Sequence, residues 1–236
     1  MGRAVSSSVA AGNRADVVDE ILSERFSCRA YEDRQVPRAT IERILAGAQR
    51  SASWCNTQPW NVIVTSGSAT DDLRTALVEH VTSGAPTAFD FPPPADYVGV
   101  YRDRRRECGW ALYEAVGVER GDRAASAQQT LENFRFFGAP HLALITTDAT
   151  LGVYGAVDTG VYVSTFLTVA QSLGVATIAQ AALANYSEFF REYFSIPEDR
   201  KILCGISFGF ADTTHPANGF RTTRASLDDV VTWIGD

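Results

Sequence analysis

Two apolar patterns alternate along the chain. In Asp16–Phe26, Val17, Ile21 and Leu22 fall on one helical face. In the segment opened by Pro37, Ile41, Ile44, Leu45 and Ala48 repeat with the same period. Proline is well accommodated in a first turn, so Pro37 marks the start of that second helix. Short apolar runs read as strands instead: Asn61–Thr65, His141–Thr146, Val175–Ile178 and Ile202–Phe208. Helical spacing predicts further helices over Asp71–Val81, Arg104–Val116, Ala124–Phe137, Ala156–Leu173 and around Tyr186–Phe194. An irregular Pro-rich stretch is expected at Ala85–Asp96 and a terminal segment at Leu227–Trp233. Strands separated by helices, with no repeat or linker, predict a single α/β or α+β domain over residues 16–236, behind a flexible tail of residues 1–15.

One stretch stands apart. Thr159–Ser187 carries no charge, yet it holds two Gln, several Ser and Thr and a break at Gly174, with no basic flank. A membrane span needs roughly 20 predominantly apolar residues with basic or aromatic anchors. A helix apolar on every side is otherwise a central core helix, so burial is expected here.

Composition narrows the chemistry. The 236 residues are 45% hydrophobic with 11% aromatics, enough for a substantial core, and carry a net charge of −7. That acidic balance disfavours nucleic-acid or anionic-membrane partners. Of the 21 basic residues only Lys201 is Lys, so any cofactor phosphate must be held by Arg. Cys28, Cys55, Cys108 and Cys204 are scattered without a C-x-x-C pair, and three histidines show no zinc spacing, which fits a reducing cytoplasm and no metal. The N-terminus lacks a signal-peptide core. Gly2 and Ser6 match the permissive myristoylation pattern, but a frayed tail is the simpler reading.

No dinucleotide-binding glycine fingerprint or P-loop is present. Gly205-Ile206-Ser207-Phe208-Gly209 fits the G-x-S-x-G elbow of hydrolases, but the sequence runs on as a strand and the only later histidine, His215, is eight residues away. Small residues in a close-packed strand explain the match. Arg25-Phe26-Ser27-Cys28-Arg29 is more informative. On extended backbone Arg25, Ser27 and Arg29 share a face, and two guanidiniums with a hydroxyl make an anion clamp; the alternative is a solvated helix end. The loop Ala52-Ser53-Trp54-Cys55-Asn56-Thr57-Gln58-Pro59-Trp60 is dense in hydrogen-bonding and aromatic side chains, suited to the edge and face of a heterocycle, although packing could account for its Trp residues. Near the C-terminus, Arg221 or Arg224 could complete a clamp begun by Arg25.

In this order and spacing, these pieces resemble the FMN-dependent nitroreductase family. The resemblance rests on Arg25-x-Ser27-x-Arg29, on Ser53-x-x-Asn56-x-Gln58-Pro59-Trp60, and on the late Leu173-Gly174-Val175-Ala176-Thr177, Ile196-Pro197 and Gly209-Phe210-Ala211-Asp212. It runs from about Ile21 to Trp233. Asn133-Phe134-Arg135-Phe136-Phe137-Gly138-Ala139-Pro140 further resembles the branch that includes 4-nitrobenzoate reductases. The resemblance implies a homodimer of α+β sandwich protomers, each with a central mixed sheet flanked by helices. FMN would lie at the subunit interface and Ala156–Leu173 would be the central dimer helix.

It also implies roles. Arg25, Ser27 and Arg224 match positions that hold the FMN phosphate and ribityl chain, with Phe26 and Arg221 in the same segments. Arg29 matches a cation beside flavin N1 and O2, where a fixed positive charge stabilises the anionic reduced ring. Ala52, Ser53, Trp54 and Asn56 match a loop reaching FMN from the partner subunit. Ala179, Gln180, Ala181 and Ala182 match the strand end facing flavin N5, and Asn133 a side chain at the pyrimidine edge. Trp54, Phe134, Phe136 and Phe137 are candidate walls of the substrate slot, with a place in the core as the alternative for each. Thr222 and Phe136 stand where many relatives carry Lys, leaving Arg29 as the main cation at the ring. The most common family residues also differ at Ala52, Ala179 and Ala181.

The expected activity is reduction of a nitroaromatic or quinone by NADH or NADPH through alternating hydride transfer, with the chemistry on FMN and no catalytic side-chain nucleophile. A flavin-dependent dehydrogenase of a biosynthetic intermediate would share every binding residue, and a non-catalytic flavin-binding protein is the third reading.

Overall fold

The computed structural model describes residues 11–235; Gly2 and Ser6 lie outside them. The chain runs α1 (Ala11–Glu24), α2 (Arg38–Ala48), β1 (Asn61–Ser66), α3 (Ser68–Thr82), α4 (Gly99–Ala115), α5 (Arg123–Leu131), β2 (His141–Asp148), α6 (Gly152–Ser172), β3 (Ala176–Gln180), α7 (Ser187–Phe194) and β4 (Arg200–Gly209). Residues 11–15, expected to belong to a tail, are helical. At the other end, Leu227–Trp233 yields only a 3-10 turn, Leu227–Asp229, capped by Ser226 and Asp229.

The strands form one sheet in the order β1-β2-β4-β3. All three pairings are antiparallel, so the expected mixed sheet is corrected; among the described residues parallel pairing is confined to isolated bridges, Ser27↔Thr177 at the β3 edge and Ala88↔Tyr186. Side chains alternate between two cores, as the strand period of two requires. Leu142 and Leu144 of β2 pack with Leu73 and Leu77 of α3 and Phe190 of α7, whereas Ala143 and Ile145 pack with Ile41 and Ile44 of α2 and Tyr162 and Phe166 of α6. The result is a sheet with a helical layer on each face.

Along β4 the alternation slips. Ile145 pairs with Cys204 but Thr146 pairs with Ile202, which leaves Leu203 as an extra residue. This bulge puts Ile202 in one core and Cys204 in the other although both numbers are even.

The expected helix Ala124–Phe137 ends at Leu131. Phe136 and Phe137 adopt left-handed backbone with φ of 57° and 52°, turning both rings into the core. Such conformations cost on the order of 1 kcal/mol each, less than the gain from burying a Phe ring.

Burial of the uncharged stretch is only half correct. Within it, Thr159, Tyr162, Phe166 and Ala170 of α6 pack inward but Gly160, Val161 and Ser164 are exposed, and the exposed face continues before it through Val153, Tyr154 and Val157. Among the described residues no helix is long and apolar enough to cross a membrane.

Candidate active site

After α1 the chain leaves the helix and runs beside β3. The Cys28 N–H donates to the Thr177 carbonyl at 3.0 Å, and Ser27 pairs with Thr177. This extended path alternates the side chains: Cys28 turns into the core, while Arg25, Ser27 and Arg29 line one cleft of about 380 Å³. The C-terminal segment closes the opposite wall with Phe220, Arg221, Thr222 and Arg224.

Both walls are pinned from behind. The buried Asn218 amide oxygen accepts from the Arg29 N–H at 2.7 Å, and its NH₂ donates to the Ala30 and Asp212 carbonyls at 2.9 and 2.8 Å. Arg29 donates to the Ser27 carbonyl at 3.1 Å. Arg221 lies over the Phe26 ring at 4.0 Å and donates to the Asn218 carbonyl at 2.8 Å. Arg224 donates to Thr222 Oγ1 at 2.8 Å.

The cleft concentrates positive charge. Among the described residues no carboxylate forms an ion pair with Arg25, Arg29, Arg221 or Arg224. Burial, then the like charge of Arg224, lowers the Arg25 pKa, and burial lowers that of Arg29. Unneutralised guanidiniums sharing a cleft with the Ser27 side chain suit a phosphate, whose oxygens accept paired N–H donors.

A second cleft of about 340 Å³ shares Leu22, Arg25 and Ser27 with the first and reaches Ala179 at the end of β3, against Gly160, Ser164 and Leu167 of α6. Gln180 beside it is buried and held from two directions: it donates to the Asn133 carbonyl at 2.9 Å and accepts from the Ser207 hydroxyl. Asn133 is therefore brought to the β3 end. Ala181 is exposed and Ala182 half-buried in the following 3-10 turn.

The loop after α2 lies elsewhere on this protomer. Trp54 donates its N–H to Asp158 Oδ2 at 3.0 Å and meets Tyr154 edge-on at 4.6 Å, so Ala52, Ser53, Trp54 and Asn56 sit by the N-terminal half of α6, outside the arginine cleft. Ser53 Oγ accepts from the Gln58 N–H, closing a turn in which Cys55, Asn56 and Gln58 are all left-handed. Trp54 is 60% exposed, whereas Trp60 is core, stacked on Tyr162 at 5.0 Å.

One expectation is corrected. Phe134, Phe136 and Phe137 are core residues, since each is at most 6% exposed. The Ser207 elbow is absent: the hydroxyl is buried mid-strand on Gln180, and both flanking glycines are packing glycines. A Cβ on Gly205 would strike Leu183, and one on Gly209 would approach Pro140 Cδ at 2.7 Å. Cys108 of α4 and Phe220 join the cleft without having been expected there, because no local pattern ties a surface helix to the C-terminal segment.

The model of the nitroreductase family matches residues 22–210. The chain is 35% identical to nitroreductase NfnB of Mycolicibacterium smegmatis, over 91% of this chain and 92% of that one. It is 34% identical to the 4-nitrobenzoate reductase of Nocardioides sp., over 94% and 91%. The crystal structure of the FMN-dependent nitroreductase NfnB from Mycobacterium smegmatis in complex with NADPH superposes with a TM-score of 0.90, at 34% identity over 94% of this chain and all of that one. A matched family model over most of the chain, joined to relatives alike end to end, makes this protein a member of the nitroreductase family.

Proposed function

We propose that the chain is an FMN-dependent oxidoreductase that uses NADPH or NADH to reduce nitroaromatic or quinone-like acceptors. The observation that carries the reading is the convergence of Arg25, Arg29 and Arg224 on one cleft without a neutralising acid. The relatives reduce nitro compounds, which favours the reductase over a dehydrogenase of a biosynthetic intermediate or a non-catalytic flavin carrier.

The cleft fits an FMN phosphate, and its neighbour reaching Ala179 offers room for the rest of the cofactor. FMN, when bound, takes two electrons from the nicotinamide and returns them to the acceptor. Arg25 and Arg224 would hold the phosphate with Ser27 beside them. Arg29, its backbone pinned by Asn218 and its guanidinium bonded to the Ser27 carbonyl, would supply a fixed cation where negative charge gathers on reduction. Gln180 holds the β3 end rigid between Asn133 and Ser207.

The remaining contacts would come from a second copy. The exposed apolar residues of α6 and the strained Trp54 loop lie along one helix but outside the arginine cleft, so a twofold pairing through α6 would carry the loop of one protomer to the cleft of the other. The four free cysteines suit a cytoplasmic setting.

The test is a visible absorption spectrum of the purified protein, then anaerobic mixing with NADPH and afterwards with 4-nitrobenzoate. Flavin absorbance that bleaches with the nicotinamide and returns with the nitro compound is expected. Flavin absorbance that no nicotinamide bleaches would overturn the reductase reading.

A further inference from the structure

Beyond Arg221, Thr222 and Arg224, the phosphate cleft opens into a larger one of about 590 Å³, walled on its other side by α4. Arg104, Glu107, Cys108 and Ala111 face it from α4, and their spacing places them on one helical stripe. Arg104 thus lines the same space as Arg221 and Arg224, and among the described residues it forms no ion pair. Glu107 is the one acid in the lining, and its carboxylate accepts from the Thr223 hydroxyl at 3.0 Å, tying the C-terminal segment to α4. With Arg224 assigned to the FMN phosphate, Arg104 and Arg221 still outnumber the one carboxylate, a basic cavity on a protein of net charge −7.

A nicotinamide dinucleotide is longer than FMN. With its nicotinamide on the flavin ring, its adenosine half would have this cavity available beyond the residues assigned to the FMN phosphate. Resting on the FMN reading, we infer that the cavity receives the adenosine 2′-phosphate of NADPH, with Arg104 as the residue that selects NADPH over NADH. A guanidinium fork matches a phosphate dianion in charge and geometry, whereas the 2′-hydroxyl of NADH offers it a single neutral acceptor. Glu107 is the one carboxylate in the lining and the guanidiniums outnumber it, so the balance of charge in the cavity favours a phosphate over a neutral hydroxyl.

The experiment is calorimetric titration of the FMN-loaded protein with adenosine 2′,5′-bisphosphate and with 5′-AMP, while FMN affinity is followed separately by flavin fluorescence. The bisphosphate is expected to bind roughly tenfold tighter or more. Arg104→Ala should erase that advantage and Arg104→Lys retain part of it. Arg105→Ala, on the same helix but outside the cavity lining, should retain all of it. Equal affinity for the two nucleotides in the parent, or an advantage that survives Arg104→Ala, overturns the inference while the FMN reading stands. A protein that takes up no FMN overturns both.

Discussion

Arg25 and Arg224 meet as two cations across one cleft although nearly the whole chain separates them, and burial, then the charge of Arg224, makes Arg25 a weaker base than an ordinary arginine. Without an anion between them, this arrangement works against folding; with a phosphate there, the same charges become the grip.

Arg25→Ala should therefore act oppositely on the two states. FMN affinity should fall by about 1.5–3 kcal/mol, the scale of a charge-assisted hydrogen bond. The FMN-free protein should melt at the same temperature as the parent or higher, because a repulsion has gone. Melting curves with and without excess FMN read both effects. Unchanged FMN affinity would mean that Arg25 is a solvated helix end.

Ser207→Ala separates a structural hydroxyl from a nucleophile. The Ser207 hydroxyl donates to Gln180 Oε1 inside the sheet, and Gln180 holds Asn133 in turn. Removing it leaves a buried acceptor unmatched, at a cost of about 1–3 kcal/mol. Urea unfolding should show this loss while nitroreductase turnover survives. Abolished turnover in a variant of parental stability would restore the nucleophile.

Much of this architecture was legible because local rules decide it. Pro37 opens α2, the apolar runs are strands, and Arg25, Ser27 and Arg29 share a side because the chain between them is extended. What was not legible is decided at a distance. Phe134, Phe136 and Phe137 continue a helical spacing past Leu131, but the chain gains more by turning left-handed and burying the rings. The extra residue at Leu203 is visible only once β4 is paired with β2. The missing charge along Thr159–Ser187 is compatible equally with a core and with a face awaiting a second copy, and α6 divides between the two. Nothing in the α4 sequence by itself joins Cys108 to Arg29.

Asp90 anchors the Pro-rich segment. Its carboxylate takes two hydrogen bonds from Arg191 at 2.9 Å and one from the Ile202 N–H at 2.7 Å, with Lys201 at 3.6 Å. Asp90→Asn leaves a largely buried Arg191 without its counter-charge, and removing one partner of such a pair costs about 3–5 kcal/mol. Denaturant midpoints should drop accordingly. A loss below about 1 kcal/mol would show that the trio behaves as a surface pair.

Val157→Glu tests the α6 pairing. Val157 is 57% exposed in the protomer, so a carboxylate there costs little within one chain. At a twofold face it would bury two like charges. Light scattering should report a monomer, and flavin content should fall because the Trp54 loop no longer reaches the partner cleft. A dimer that keeps its flavin would remove α6 from the interface.

His141 gives the fold a pH dependence of defined sign. The Val36 N–H donates to Nε2 at 2.9 Å, which places the ring proton on Nδ1, directed at Ser66 Oγ, also 2.9 Å away. The ring stacks on Phe208 at 4.9 Å, and burial lowers its pKa below the ordinary 6.5. The folded state thus refuses a proton that the unfolded chain accepts. Its stabilising effect is complete above pH 6.5 and is lost as the pH falls towards the depressed folded value. The slope cannot exceed about 1.4 kcal/mol per pH unit for one group. Urea unfolding of the parent and of His141→Gln at pH 7.5 and 5.5 isolates the effect, since every carboxylate contributes to both proteins. The parent should lose more stability on acidification than the variant, and identical losses would show that His141 takes up its proton while folded.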